Sequence, residues 1–208
     1  DKYGNIWIAT YDGVCRFNAK TREFTTMLTR NKGGLVSNAV NSLLFDSEEN
    51  LWVGTLDKGI DRFNKNLVKT GNFKIKGIQK VAENKINFLY TDSKNNIWVG
   101  TSGSGLFRFD RTRQSFFPVF DVSKGIGPNT FGYVLSILET SDNRIWVATA
   151  YRLFCIEDSA NNTYSFRLYA RGNSPGNIQS NCIYTLFEDA TKNLWVGSID
   201  RGLFLFNK

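Results

Sequence analysis

Residues 46–64 read DSEENLWVGTLDKGIDRFN, and residues 92–110 read DSKNNIWVGTSGSGLFRFD. Shorter copies of the same phrase stand at 5–10 (NIWIAT), 144–149 (RIWVAT) and 193–198 (NLWVGS). All five tryptophans, Trp7, Trp52, Trp98, Trp146 and Trp195, lie in these copies, 45, 46, 48 and 49 residues apart. That spacing is the length of one four-stranded β-propeller blade. The expected fold is therefore all-β, a β-propeller of four-stranded antiparallel blades.

The copy from Leu35 to Lys76 shows how a blade is written. SNAVNSLLFD alternates and then runs apolar, as a half-buried strand does. SEEN is a turn, LWVGT a second strand, LDKG a turn and IDRFN a third strand; a polar linker then leads to NFKIK as the fourth. Connections this short leave no room for helical crossovers between parallel strands.

Each repeated residue has a physical task. Asp1, Asp46, Asp92 and Asp189 stand six positions before their Trp, where a carboxylate accepts backbone N–H groups of a tight turn. Asn5, Asn50, Asn96 and Asn193 stand two before it and are expected to take the left-handed backbone of that turn. Ala9, Gly54, Gly100, Ala148 and Gly197 stand two after it, where a small residue lets the next blade approach. The Trp itself is expected to be an apolar plug between sheets. The fourth copy departs from the rest: Thr140 replaces the Asp, Arg144 the Asn, and AYRLF the glycine turn, with an insertion around GIGPNTFGYV before its first strand. Breaks in a repeat's own rule gather at functional sites.

Composition narrows the chemistry. The 208 residues contain no histidine, so a Ser-His-Asp triad, a His general base and a His metal ligand are all excluded. The P-loop, GxGxxG and HExxH spacings are absent. DSKNN and DKYGN lack the alternating oxygen ligands of a calcium loop. Cys15, Cys155 and Cys182 are odd in number and read as strand residues, not as a disulfide framework or a zinc site. No metal, cofactor or enzymatic activity is expected in this segment, carboxylate-only glycoside cleavage being the one catalytic alternative left open. The 26 Lys and Arg against 19 Asp and Glu give +7, either a solvated basic surface or a face that attracts an anion. No apolar run is long enough for a membrane span, so no direct membrane contact is expected.

The phrase D-x-x-(G/N)-N-(I/L)-W-(V/I)-(G/A)-T-x-x-x-G-(L/I)-x-R-F-(N/D), preceded by S-N-x-V-x-S-L, resembles the regulator-propeller repeat of two-component sensors. The copies at 46–64 and 92–110 match almost throughout, the first and fifth well and the fourth poorly. The resemblance implies a periplasmic part of a hybrid two-component sensor from gut-dwelling bacteria, anchored in the inner membrane. In such sensors, two seven-bladed propellers and an immunoglobulin-like domain precede a membrane span, a histidine kinase and a response regulator. It also implies recognition of an oligosaccharide and control of polysaccharide-utilisation genes.

The copies divide the chain into a partial blade at 1–30, blades at about 31–80, 81–119 and 120–169, and a partial blade at 170–208. That is about four and a half blades, whereas a seven-bladed ring at this period needs about 330 residues. The expectation is a fragment of a larger propeller region, with sheet edges that pair with another copy or with the rest of the sensor chain. No nucleic-acid partner is expected.

Two functions stay open: a saccharide-sensing segment, or a structural propeller that mediates dimerisation of the sensor. Strand-2-to-3 turns and strand-4-to-1 loops share one face of a propeller. Tyr11, Asp12, Asp57, Lys58, Arg30 and Asn173 fall on it. The candidate ligand residues there are Tyr151, Arg152, Asn129, Phe131, Arg171, Asp200 and Arg201. A tyrosine ring stacks on a sugar, and an arginine offers two parallel donors to a uronate or sulfate. The ligand is expected to be an acidic oligosaccharide near the fourth blade, with a neutral one as the alternative.

Overall fold

The LWVGT-type segments form the second strand of every blade, and in the three middle blades all five residues are buried. A strand covered on both faces carries a continuous apolar run rather than an alternating one. The computed structural model describes residues 1–75, 84–119, 128–158, 164–169, 171–172 and 178–206. These fall into five antiparallel meanders. The first is β1 (Asn5–Thr10), β2 (Gly13–Asn18) and β3 (Glu23–Leu28). The second is β4 (Val40–Phe45), β5 (Leu51–Thr55), β6 (Ile60–Phe63) and β7 (Lys69–Phe73). The third is β8 (Ile86–Thr91), β9 (Ile97–Thr101), β10 (Leu106–Asp110) and β11 (Ser115–Pro118). After the single turn of helix α1 (Pro128–Phe131) comes the fourth, β12 (Val134–Glu139), β13 (Ile145–Thr149), β14 (Leu153–Asp158) and β15 (Tyr164–Tyr169). The last is β16 (Ile183–Glu188), β17 (Leu194–Ser198) and β18 (Gly202–Phe206).

Successive inner strands pack side by side, β4 on β8, β8 on β12 and β12 on β16, and β1, the Trp strand of the first sheet, packs on β4. All four inner strands carry a bulge one residue after their buried Val or Ile. A bulge re-aims the extra side chain out of its own sheet. In β4 and β8 that residue is an asparagine: Asn41 Nδ2 donates to Ile86 O at 3.1 Å, and Asn87 Nδ2 to Val134 O at 3.0 Å. The close approach also needs the small residue after the Trp. A Cβ on Gly54 would lie 2.7 Å from Ile86 Cγ2, and one on Gly100 2.5 Å from Val134 Cγ1, both in the next blade.

Asp46 organises the turn before Trp52 as the sequence implies. Its Oδ1 accepts the backbone N–H groups of Glu48 (3.0 Å) and Asn50 (2.8 Å). Its Oδ2 takes on a second task, accepting the indole Nε1–H of Trp52 at 2.8 Å. The same bond, also 2.8 Å, recurs at Trp7, Trp98 and Trp195. The expectation for the asparagines is corrected. The left-handed backbone belongs to the residue before each of them: Gly4 (φ 79), Glu49 (φ 63), Asn95 (φ 61) and Lys192 (φ 68). The asparagine instead donates its Nδ2 to Oδ2 of the Asp, as Asn50 does to Asp46 at 3.0 Å.

Trp52, Trp98 and Trp146 are buried, each against aromatic rings of its own or the next blade. Trp7 and Trp195 are only half-buried. Among the described residues no principal contact joins the first sheet to the last, and both end sheets expose apolar side chains: Ile6 and Phe24 at one end, Phe187, Leu203 and Leu205 at the other. The fourth strand of the second blade starts earlier than its sequence suggests. Asn64 Oδ1 accepts Asn66 N and Val68 N at 3.0 Å each, and Leu67 turns left-handed (φ 58), so the expected linker is a tight hairpin leading into β7. None of the three cysteines is in a disulfide; Cys15 and Cys155 lie in β2 and β14, but Cys182 stands just before β16 and not within a strand.

Candidate functional site

The turn between β13 and β14 is built on Thr149. Its backbone N–H and its hydroxyl both reach the Arg152 carbonyl at 2.9 Å, while Oγ1 accepts Tyr151 N at 3.2 Å and Arg152 N at 2.9 Å. Thr55 and Thr101 close the corresponding turns on the carbonyls of Gly59 and Gly105, whose φ is 87° in both. Arg152 has no positive φ, so the fourth blade dispenses with the glycine and gains a long cationic side chain there. Tyr151 is 55% exposed and Arg152 is exposed. Neither side chain has a hydrogen-bond partner among the described residues.

The inserted loop comes to this turn. Ala150 N donates to Tyr133 O at 3.0 Å, which ties the backbone of Tyr133, 46% exposed, to the residue before Tyr151. The same loop spans to the third blade, where Gly103 N and Gly105 N donate to Gly132 O at 3.2 and 3.3 Å. Phe131 does not reach the face. It is wholly buried, its ring 4.6 Å from Phe154 and 5.4 Å from Phe166, because Gly132 (φ 51) reverses the chain and turns the loop's one phenylalanine inward. Asn129 lies in α1, its side chain outside the described residues, and Asn173 is outside them altogether.

Arg171, Asp200 and Arg201 form a second group, in the fifth blade. Asp200 Oδ1 accepts the Ser180 hydroxyl, and Arg201 Nε stands 3.9 Å from Oδ2. The Ser180 hydrogen bond, with smaller contributions from Arg201 and Arg171, holds the Asp200 carboxyl below the usual carboxylate range. Asn181 Oδ1 anchors Arg171 N at 3.0 Å, as Asn38 Oδ1 anchors Arg30 N at 2.7 Å. The S-N pair before β4 and before β16 is thus the device that ties down the preceding loop. Tyr133 was not singled out in the sequence; its signal is its place next to Val134, the residue that starts the buried inner strand.

The profile of the two-component regulator propeller repeat matches residues 34–57, 80–103, 130–151 and 177–200. Four segments of this chain are regulator-propeller repeats. The chain superposes on the extracellular domain assigned to a hybrid two-component system of B. thetaiotaomicron with a TM-score of 0.78 at 22% identity, over 98% of this chain and 25% of that one. A second such domain from the same organism gives 0.78 at 19% identity, over 98% and 26%. Virginiamycin B lyase from Staphylococcus aureus gives 0.68 at 13% identity, over 100% and 67%. These likenesses show the propeller fold. The chain spans about a quarter of the length of the two extracellular domains. No curated protein sequence matches it.

Proposed function

We propose that this regulator propeller is a ligand-sensing part of the periplasmic region of a hybrid two-component sensor, and that it takes an oligosaccharide and thereby regulates polysaccharide-utilisation genes. The repeat family and the likeness to extracellular domains support the sensor role. The observation that carries the ligand is that exposed Tyr133, exposed Tyr151 and Arg152 meet at one turn, held by Thr149 and by the Ala150 N–H bond to Tyr133 O. Two aromatic faces stack on sugar rings, and a guanidinium with free donors selects a uronate or sulfate.

A second reading has its own observation. The exposed apolar faces of the two end sheets favour a propeller that mediates contact between sensor chains without touching a ligand. Calorimetric titration of the purified protein with a panel of neutral and acidic oligosaccharides separates the two. Binding of at least one acidic member supports the sensing role. No heat with any member, together with a dimer in sedimentation, supports the second.

A further inference from the structure

Three blades place an arginine directly across the sheet from their Trp: Arg16 opposite Trp7, Arg62 opposite Trp52 and Arg108 opposite Trp98. Two of them are used between blades. Arg62 lies over the Trp52 ring (5.3 Å) and donates to Gln114 Oε1 of the next blade at 3.0 Å. Arg108 lies over Trp98 (5.9 Å) and donates to the Tyr164 hydroxyl of the next blade. Arg16 reaches nothing of the kind. Its Nε, like that of Arg108, is buried without an acceptor, and the rest of its guanidinium has no partner among the described residues.

The space it faces is open. Between the third and fourth blades this position retains about 20 Å³, whereas between the first and second there is a cavity of about 310 Å³. One strand position differs between these blades. Across from Phe109 and Ile156 stand Phe116 and Phe166, but across from Phe63 stands Lys69, whose ammonium pairs with buried Asp61 at 2.8 Å. The aromatic filler is therefore missing, and half-buried Trp7 is left with Met27, Phe45 and Leu67 around it. The carboxylates on the wall are committed: Asp1 and Asp46 accept the indole N–H groups at 2.8 Å, and Glu49 pairs with Lys2. Arg16 and Lys65 have no partner among the described residues.

We propose that this cavity is a binding site for a single six-membered ring bearing a carboxylate, stacked against Trp7 and held by Arg16. The volume is at the lower end of small-molecule sites, which suits one ring rather than a chain. The site is separate from the fourth-blade turn and does not depend on it. Titrating the purified protein with D-galacturonate, benzoate and D-glucose tests it. One of the two acids binds and glucose does not; which acid binds tells a sugar source from an aromatic one. Arg16→Gln weakens that binding at least tenfold, and Met27→Trp, which fills the cavity with an indole, does the same. Replacing Tyr151 and Arg152 by Ala leaves it unchanged, so failure here and failure at the fourth-blade face are told apart. Absence of binding by both acids, equal binding of glucose, or parental affinity in Arg16→Gln or Met27→Trp overturns the proposal.

Discussion

In the fourth blade the indole Nε1–H of Trp146 donates to Thr140 Oγ1 at 3.0 Å. Thr140 stands where the other blades have the aspartate, and its hydroxyl bonds in turn to Asp142 Oδ1 at 2.5 Å. Arg144, in the asparagine position, donates from Nε to Asp142 Oδ2 at 2.8 Å and lies over the Trp146 ring at 5.8 Å. The carboxylate has moved from the sixth position before the Trp to the fourth, and the buried N–H is still satisfied. Two of the three departures in this repeat are thus structural substitutes for one another. The third, Tyr151 with Arg152, has no such compensation inside the blade.

Asp46→Ala leaves the buried Trp52 N–H and two turn N–H groups without their acceptor, and should destabilise the protein by about 1–3 kcal/mol. Asp46→Thr, which copies the fourth blade, should lose less. Urea-denaturation midpoints of the two variants check the order; equal losses would mean that the indole bond contributes nothing.

Gly100→Ala would place a methyl 2.5 Å from Val134 Cγ1 in the following blade. Overpacking of this kind costs about 1–3 kcal/mol. Val134→Ala in the same molecule removes the clashing atoms, so the double variant should be more stable than the sum of the single losses implies. Simple additivity in thermal melts would show that the two blades are not in contact there.

Asp189 is held well below the ordinary carboxylate range, first by the Trp195 indole and then by Thr191 and Asn193. A carboxyl that is more acidic when folded stabilises above its unfolded pKa, about 3.9, and loses that contribution as pH falls toward the folded value. The stability gap between the parent and Asp189→Asn should therefore be full at pH 7 and narrow progressively below about pH 4. A gap that stays constant from pH 7 to pH 2 would contradict the assignment.

The Trp period disclosed the blades because one large apolar plug per sheet is needed wherever sheets stack face to face. Gly54 and Gly100 were legible for the same reason: a missing side chain marks where another strand must come close. Other features were hidden because they depend on side-chain partners that only the folded chain brings together. The turn asparagines looked like left-handed residues, yet Asp46 Oδ2 draws Asn50 into an amide bond and shifts the strained backbone to Glu49. Phe131 read as an exposed loop aromatic, but Phe154 and Phe166 supply a slot that a single sequence does not reveal. The lysine at the position where the third blade has Phe116, Lys69, pairs with Asp61, which is visible only once β6 and β7 are side by side.

The most direct test of the sensing account is the affinity of the Tyr151→Ala/Arg152→Ala double variant for whichever oligosaccharide the parent binds. Both side chains are exposed and unbonded within the described residues, so the melting temperature should stay nearly unchanged. Calorimetry should show at least a tenfold loss of affinity, about 1.4 kcal/mol. An affinity equal to the parent's, or a variant that unfolds, would contradict the account and leave these residues as parts of the blade alone.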